Sequence, residues 1–340
     1  MCFLLFVCLC TPVVVNAQTN AVAIACWGDS KTQGEQEGEG MSYPAFLQEL
    51  LEAHGYTYVV NNFGAHGERS TEIMQRQGSR PLTVQPFTIP ASAQEEVKIV
   101  INSRLRVPEA GCNPCLIDGV EGTIRHDWTD SSQKTFYFRR LQSGTVKKIS
   151  SPTRIVTDAM LNHRNEILVL DIGYNGGFSG VNDLISQCQE MIDYSECKEY
   201  VVIGRASHYY GISVGLESAF TNYFGNHYIN LRDYYVNHGL EDMNITPTDG
   251  DIQDMQSGFP PRSLFYDEHH ENIKGYRIKA NLVFRKLLEL GYLNEPTMIP
   301  TVTHVGYEEN AVYDLQGRKV LRVIKSGIYL LNGKKVYLKP

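Results

Sequence analysis

The chain has 340 residues, of which 42% are hydrophobic and 10% aromatic, and its formal net charge is −7. This composition suffices for a folded core and excludes a disordered chain. The acidic balance gives no electrostatic case for binding nucleic acid, which usually requires a basic face. We therefore expect one large globular domain or two modest ones.

Residues 1–17 form an apolar run that ends in the small-residue pattern Val15-Asn16-Ala17. This pattern is typical of a secretory signal peptide, here cleaved after Ala17, and the run is too short to span a bilayer. A lipoprotein signal that uses Cys8 or Cys10 is the alternative. We predict that the mature protein is secreted, periplasmic or at the cell surface, without a transmembrane segment.

Strand patterns and helix patterns alternate over residues 18–80 and 160–293. Apolar strand-like segments lie at 21–26, 56–64, 166–173 and 199–207. Helical spacing is seen at 43–55, at 181–192 with Asn182 as its expected cap, and at 273–291. The alternation predicts an α/β domain with a doubly wound parallel sheet.

Residues 81–159 interrupt this alternation with short strand-like segments and turn signals but no helix pattern. This is typical of a small β-sandwich or barrel, so we predict an inserted all-β module. Phe136 and Phe138 alternate with Tyr137 and are expected to share one core-facing side of a strand.

A linker is predicted at 294–310 and a short β tail at 311–340, with two or three strands and a hairpin turn at Asn332-Gly333. From Leu315 onwards the tail has seven Lys or Arg and no Asp or Glu.

Five cysteines follow the predicted signal. The Cys112-Asn113-Pro114-Cys115 segment has no second pair or His partner at zinc-binding spacing, so a local disulfide or two buried thiols are expected there. Cys188 and Cys197 could form a second bridge. We predict no metal and no cofactor.

Candidate catalytic residues lie at the two ends of the α/β region. Ser30 directly follows the first predicted strand, where open α/β sheets bind their ligands. Asp267 and His270 are three residues apart, which places both side chains on one side of a helical turn. Such a carboxylate could orient the imidazole, which could then take a proton from Ser30. The alternative is a helix-capping serine and a structural histidine.

The segments that contain these residues also resemble two motifs of a known enzyme family. The segment GDSKTQG at 28–34 fits the GDSxTxG opening of the SGNH, or GDSL-like, hydrolase family, and DEHHEN…GY resembles its DxxH block. The resemblance implies a flavodoxin-like hydrolase fold with Ser30 as nucleophile, His270 as base and Asp267 as its partner. It further implies an oxyanion hole formed by Ser30 N–H, Gly67 and Asn175.

The sequence departs from the family pattern at two places. Gly176 follows Asn175 where an aspartate is usual, and a literal GxND occurs later, at 180–183, which makes Asn182 the alternative to Asn175. Gly64 is likewise an alternative to Gly67. Glu271 stands where proline is frequent, and we expect this change to have little effect.

The resulting functional prediction is a secreted serine ester hydrolase that removes acyl groups, acetyl above all, from carbohydrate esters. The alternatives are a lipase or general carboxylesterase, and a glycan-binding protein with a decayed hydrolase domain. Trp27 is expected in the core rather than as a sugar platform, whereas Arg205 and His208 are candidates for the rim of the site. The tail resembles C-terminal tails of secreted Bacteroidetes proteins related to type IX secretion signals.

Overall fold

The computed structural model describes residues 23–34, 40–130, 135–207 and 214–294, together with four short strands of the C-terminal tail. The tail strands belong to a compact unit separate from the one that contains residues 23–294. The predicted signal peptide, most of the predicted linker and His208 lie outside the described residues. Among the helices that are described, none is long and apolar enough to cross a membrane.

The first part of the chain alternates strands and helices. Its elements are β1 (Ala23–Gly28), α1 (Ser30–Gln33), α2 (Tyr43–Ala53), β2 (Val59–Gly64) and α3 (Ser70–Gln77). Ser42 caps α2 through its side chain, and Tyr43, Phe46, Leu47 and Leu51 form the buried face of that helix. These four positions follow the helical spacing from which the helix was predicted.

The insertion contains eight strands within the described residues: β3 (Thr83–Val84), β4 (Phe87–Ile89), β5 (Val97–Ile99), β6 (Cys115–Ile117), β7 (Val120–His126), β8 (Phe136–Arg140), β9 (Lys147–Ile149) and β10 (Thr153–Val156). Six of them form an antiparallel sheet in the order β3-β10-β6-β7-β8-β5. A bridge between Val84 and Ile101 brings its two edges together. Of the two predicted forms, sandwich and barrel, the module is therefore a nearly closed barrel, because one sheet curls onto itself.

The α/β part resumes with α4 (Asp158–Asn162), β11 (Ile167–Asp171), α5 (Val181–Tyr194), β12 (Tyr200–Ile203), α6 (Val214–Phe224), β13 (Tyr228–Ile229), α7 (Leu231–Asp242), α8 (Asp249–Gln256) and α9 (Ile273–Glu289). Short 3-10 helices lie at Gly225–His227 and Arg262–Leu264. Gly180 precedes α5, so Asn182 lies in the first turn and is not the predicted cap.

A five-stranded parallel sheet organises the described α/β part, in the order β13-β12-β11-β1-β2. Successive connections run to opposite sides of β1, so a crevice opens between the carboxyl ends of β1 and β11. Residues of β1 alternate between the two faces of the sheet. Ile24 and Cys26 pack in the core that includes α2, α7 and α9, whereas Ala25 and Trp27 pack in the core that includes α3, α5 and α6.

Several side chains predicted for the core are buried there. Trp27 is 1% exposed and stacks on Phe63 with ring centroids 4.4 Å apart, which leaves no room for a sugar platform. Phe136 and Phe138 lie in the core of the inserted barrel.

All five cysteines of the described residues are free thiols, so of the two alternatives predicted for Cys112 and Cys115 the structure has two buried thiols and not a local disulfide. Both thiols are buried in the apolar barrel core, where hydrogen bonding between them and burial raise the pKa of Cys112. Cys188 packs within the core beneath α5, and no bridge joins it to Cys197.

The C-terminal tail contains four described strands: β14 (Val312–Tyr313), β15 (Lys319–Val320), β16 (Gly327–Leu331) and β17 (Lys334–Leu338). They form one sheet in the order β15-β14-β16-β17, which is more than the two or three strands predicted. Leu331 pairs with Lys334 in an antiparallel register. The predicted Asn332-Gly333 turn itself lies outside the described residues.

Candidate active site

Ser30 is the first residue of α1, immediately beyond the carboxyl end of β1. Asp29 caps this short helix, its Oδ1 accepting a hydrogen bond of 3.1 Å from Lys31 N. The helix folds tightly against the strand, since a Cβ on Gly28 would lie 2.0 Å from Thr32 Oγ1. A glycine at position 28 is therefore needed to present Ser30 at the sheet edge.

His270 and Asp267 reach Ser30 from the loop that precedes α9. His270 Nε2 lies 2.9 Å from Ser30 Oγ, and His270 Nδ1 lies 2.9 Å from Asp267 Oδ2. A single tautomer, with the proton on Nδ1, satisfies both contacts: the ring donates to Asp267 and accepts from the serine hydroxyl. We call Ser30, His270 and Asp267 the triad.

The loop is irregular, not the helical turn that the spacing predicted. A bridge joins Phe265 to Glu271, and Tyr266 N–H donates to His270 O at 2.8 Å. Asp267 Oδ1 accepts the N–H groups of His269 and His270, each at 2.7 Å. Partial burial opposes ionisation of Asp267, but the hydrogen bonds from His270 and from these N–H groups lower its pKa below the ordinary value.

The oxyanion donors that the resemblance implies are the N–H groups of Ser30 and Gly67 and the side-chain amide of Asn175. The first N–H groups of a helix lack intrahelical acceptors, and Ser30 N–H is the first of α1. Gly67 N–H has no acceptor among the described residues, and Gly67 adopts φ +66°, a left-handed conformation that favours glycine. Asn175 borders the same cleft as Ser30, whereas Asn182 borders a groove between α5 and α6.

The amide of Asn175 is oriented by two acceptors. Its Nδ2 donates to Asp29 Oδ2 and to Glu68 O, both at 3.1 Å. Both amide hydrogens are thus used within the protein, so donation to a substrate oxygen requires that one be shared or released. Burial and the nearby Asp171 carboxylate raise the pKa of Asp29 from 3.8 to about 7.

The cleft at the triad is small. It has a volume of about 140 Å³ and is lined by Ser30, Lys31, Tyr174, Asn175, His269 and His270. Pockets that enclose drug-sized ligands usually measure about 300–1,000 Å³. The cleft can therefore enclose a short acyl group, and the rest of a larger substrate must lie outside it. Arg205 is not among the lining residues; its guanidinium lies 5.6 Å from the ring centre of Tyr174.

A chain of buried charges runs beneath the triad. Lys31 Nζ lies 2.9 Å from Glu271 Oε2, and Lys279 Nζ lies 2.9 Å from both Glu271 Oε1 and Asp171 Oδ2. These four side chains are at most 2% exposed. Lys31 and Glu271 directly follow Ser30 and His270 in the sequence, and Lys31 Nζ also donates to His269 O. This chain of charges therefore ties α1 to the loop that carries His270.

The pKa values of the groups in this chain of charges follow from their burial and their ion pairs. Burial lowers the pKa of Lys31, although Glu271 acts in the opposite direction. For Glu271 burial favours the neutral acid, but the ammonium groups of Lys279 and Lys31 lower its pKa. The pKa of Lys279 is raised because Asp171 and Glu271 outweigh burial. The sequence led us to expect little effect from glutamate at position 271, but its buried carboxylate joins both lysines, so we predict instead that it stabilises the fold.

The site contains residues that sequence reasoning missed, namely Asp29, Lys31, Glu68, Asp171, Glu271 and Lys279. Lys279 carried a detectable signal, because it lies three residues after buried Tyr276 and four before buried Val283 in α9. A charge on the apolar face of a helix indicates a buried partner. Among the described residues no group of three or more His, Cys, Asp or Glu is arranged to hold a metal ion.

No protein-family model matches this chain, and no curated protein matches its sequence significantly. The contacts of the site are therefore the basis on which a function can be assigned.

Proposed function

We propose that this protein is a serine ester hydrolase of the SGNH type, with a flavodoxin-like α/β domain. The observation that carries the proposal is the pair of 2.9 Å contacts that links Ser30 Oγ to His270 and His270 to Asp267. A serine hydroxyl becomes an effective nucleophile only when a base can take its proton. The order strand, serine and short helix also places the hydroxyl at the ligand-binding edge of the sheet.

The proposed reaction has two halves. Ser30 Oγ attacks the acyl carbon while its proton passes to His270 Nε2, and His270 then gives that proton to the departing alcohol oxygen. In the second half His270 takes a proton from water, the hydroxide attacks the acyl-enzyme, and Ser30 recovers its proton as the carboxylic acid leaves. Asp267 holds the imidazole in the required tautomer and stabilises its charged form.

Negative charge develops on the acyl oxygen in both halves. The N–H groups of Ser30 and Gly67 are the proposed donors to this oxygen. Asn175 is the third donor once one of its amide hydrogens is released from Glu68 O or Asp29 Oδ2. Removing one such donor typically lowers kcat by about 10²–10³.

The substrate that we propose is an ester of a short acid, acetate above all, with a carbohydrate alcohol. The cleft volume of about 140 Å³ supports a short acyl group over the long chain that a lipase would take. Export of the protein, which the N-terminal sequence predicts, would place the enzyme where acetylated glycans occur.

The test is hydrolysis of p-nitrophenyl esters with acyl chains of two to twelve carbons. We expect acetate to be cleaved fastest and Ser30→Ala to lower kcat on the order of 10⁶-fold. Ser257→Ala, at an exposed serine after α8, is the matched control and should retain activity.

A fluorophosphonate probe supplies a second readout. It should label the wild-type protein covalently and fail to label Ser30→Ala, since labelling requires an activated serine. Hydrolysis that rises with chain length would instead support a lipase. A folded protein with neither hydrolysis nor labelling would refute the proposal and support the glycan-binding alternative.

A further inference from the structure

A half-exposed tryptophan projects from the inserted barrel. Trp128 follows β7, and 49% of its surface is exposed. Three side chains hold it: His66 stacks at 5.4 Å between ring centres, His126 packs edge-on at 4.3 Å, and the Arg106 guanidinium lies 4.9 Å from its ring centre. An indole that is fixed by neighbours and still half exposed offers a preorganised contact surface.

Trp128 is linked through its neighbours to residues 66–68. His66, which stacks on it, immediately precedes Gly67 in the sequence. Arg106 also borders this glycine, since a Cβ on Gly67 would lie 3.3 Å from Arg106 Nε. The next residue, Glu68, accepts the Asn175 amide at its carbonyl oxygen. The consecutive residues 66–68 therefore connect Trp128 to the groups proposed to hold the acyl oxygen.

Buried polar contacts join the barrel to the α/β part near Gly67. The buried Glu68 carboxylate accepts Arg106 N–H at 2.8 Å and pairs with Arg76 Nε at 2.7 Å. Arg76 is fully buried and also donates to Phe63 O on the α/β sheet and to Ala110 O in the insertion. Arg106, which lies against the Trp128 ring, is therefore held through its backbone by a buried ion pair that contacts both the insertion and the α/β sheet.

We propose that Trp128, with Arg106 and His66, forms the binding platform for the sugar ring of the ester's alcohol part. This inference rests on the proposed esterase function and names where the leaving group binds. The cleft of about 140 Å³ encloses only a short acyl group, so the alcohol lies outside it. One face of a pyranose ring is rich in C–H groups and packs on an indole, while guanidinium and imidazole groups hydrogen-bond to its hydroxyls.

The kinetic test compares three acetate esters: xylose tetraacetate, phenyl acetate and vinyl acetate. For Trp128→Ala, the ratio of kcat/KM on xylose tetraacetate to kcat/KM on vinyl acetate should fall about 10-fold or more. Trp128→Tyr, which keeps an aromatic ring, should restore much of this ratio. The matched control is Tyr223→Ala, which removes an exposed aromatic ring outside the triad cleft and should keep the wild-type ratio.

Other kinetic outcomes overturn the inference. An unchanged ratio in Trp128→Ala, while the wild-type protein cleaves both esters, would show that the ring does not bind the alcohol. A fall on phenyl acetate as large as that on xylose tetraacetate would show a platform for aromatic alcohols in place of sugars.

A binding measurement separates failure of the platform from failure of the esterase. The chain has only two tryptophans, and Trp27 is 1% exposed, so acrylamide quenching of fluorescence reports chiefly on Trp128. In Ser30→Ala, xylose tetraacetate should reduce this quenching. Protection without any hydrolysis by the wild-type protein would refute the esterase and keep the sugar platform. Absence of protection would refute the platform.

Discussion

Neutralising Glu271 is the sharpest test of the charge chain beneath the triad. Glu271 is completely buried between two ammonium groups, each 2.9 Å away. Glu271→Gln keeps the size of the side chain. It leaves Lys279 paired with Asp171 but removes the carboxylate that pairs with Lys31. Breaking a buried ion pair by removing one partner typically costs about 3–5 kcal/mol.

We expect Glu271→Gln to lower the free energy of unfolding by about 3 kcal/mol, near the lower end of this range, because Lys31 can lose its proton. Burial already lowers the pKa of Lys31, and removing Glu271 takes away a group that raises it. A lysine with a lowered folded pKa binds fewer protons folded than unfolded, so stability rises with pH. The destabilisation by Glu271→Gln should therefore shrink as the pH increases above neutrality.

The assay is thermal and guanidinium unfolding followed by circular dichroism. A loss of about 3 kcal/mol corresponds to a fall in Tm of roughly 6–12 °C for a domain of this size. Glu289→Gln is the matched control, since Glu289 pairs with Lys286 at 2.7 Å but is 51% exposed. Exposed pairs contribute about 0–1 kcal/mol.

A double variant refines the test. Glu271→Gln with Lys31→Met leaves Lys279 paired with Asp171, so it should be more stable than Glu271→Gln alone. The ionic role assigned to Glu271 is refuted if the Tm of Glu271→Gln is within 2 °C of the Tm of Glu289→Gln. It is also refuted if the stability effects of Glu271→Gln and Lys31→Met are additive.

Two further predictions concern the oxyanion side of the site. Asn175→Ala should lower kcat on p-nitrophenyl acetate by about 10²–10³ while the Tm stays close to that of the wild-type protein; a fall below tenfold would remove Asn175 from the oxyanion donors. Asp29→Asn should change the pH dependence of stability, because burial and Asp171 raise the folded pKa of Asp29 from 3.8 to about 7. An acid with a raised folded pKa binds more protons folded than unfolded, so the wild-type protein loses stability relative to Asp29→Asn as the pH rises between these values, by up to about 4 kcal/mol. Parallel curves of unfolding free energy from pH 4 to pH 8 would contradict this.

Local patterns were sufficient for the main elements of the α/β part. The spacing of apolar residues predicted α2 and α9, and the continuous apolar run at 166–173 predicted β11. All five residues of β11 are buried, as expected when helices cover both faces of a parallel sheet. The loop between Phe265 and Glu271 was predicted less well, because its conformation depends on hydrogen bonds from N–H groups to Asp267 and on a bridge across its ends.

The cysteines and Glu271 show what local patterns leave undecided. The Cys112–Cys115 spacing permits a bridge, but the barrel core accommodates two thiols that hydrogen-bond to each other. Glu271 was judged by its position in a motif, whereas its importance comes from Lys31 and Lys279, which only the packing of α9 against the sheet brings within 2.9 Å.

The sequence by itself determined the chemical types available and their local placement: a serine directly after a strand, and a histidine three residues after an aspartate. These follow from backbone geometry over a few residues. Only the tertiary structure decided that Ser30 and His270, 240 positions apart, lie 2.9 Å from each other and that Trp128 of the insertion stacks on His66. The physical reason is that such contacts depend on the order of strands in the sheet and on burial. Both are set by the packing of the whole domain and not by any one segment.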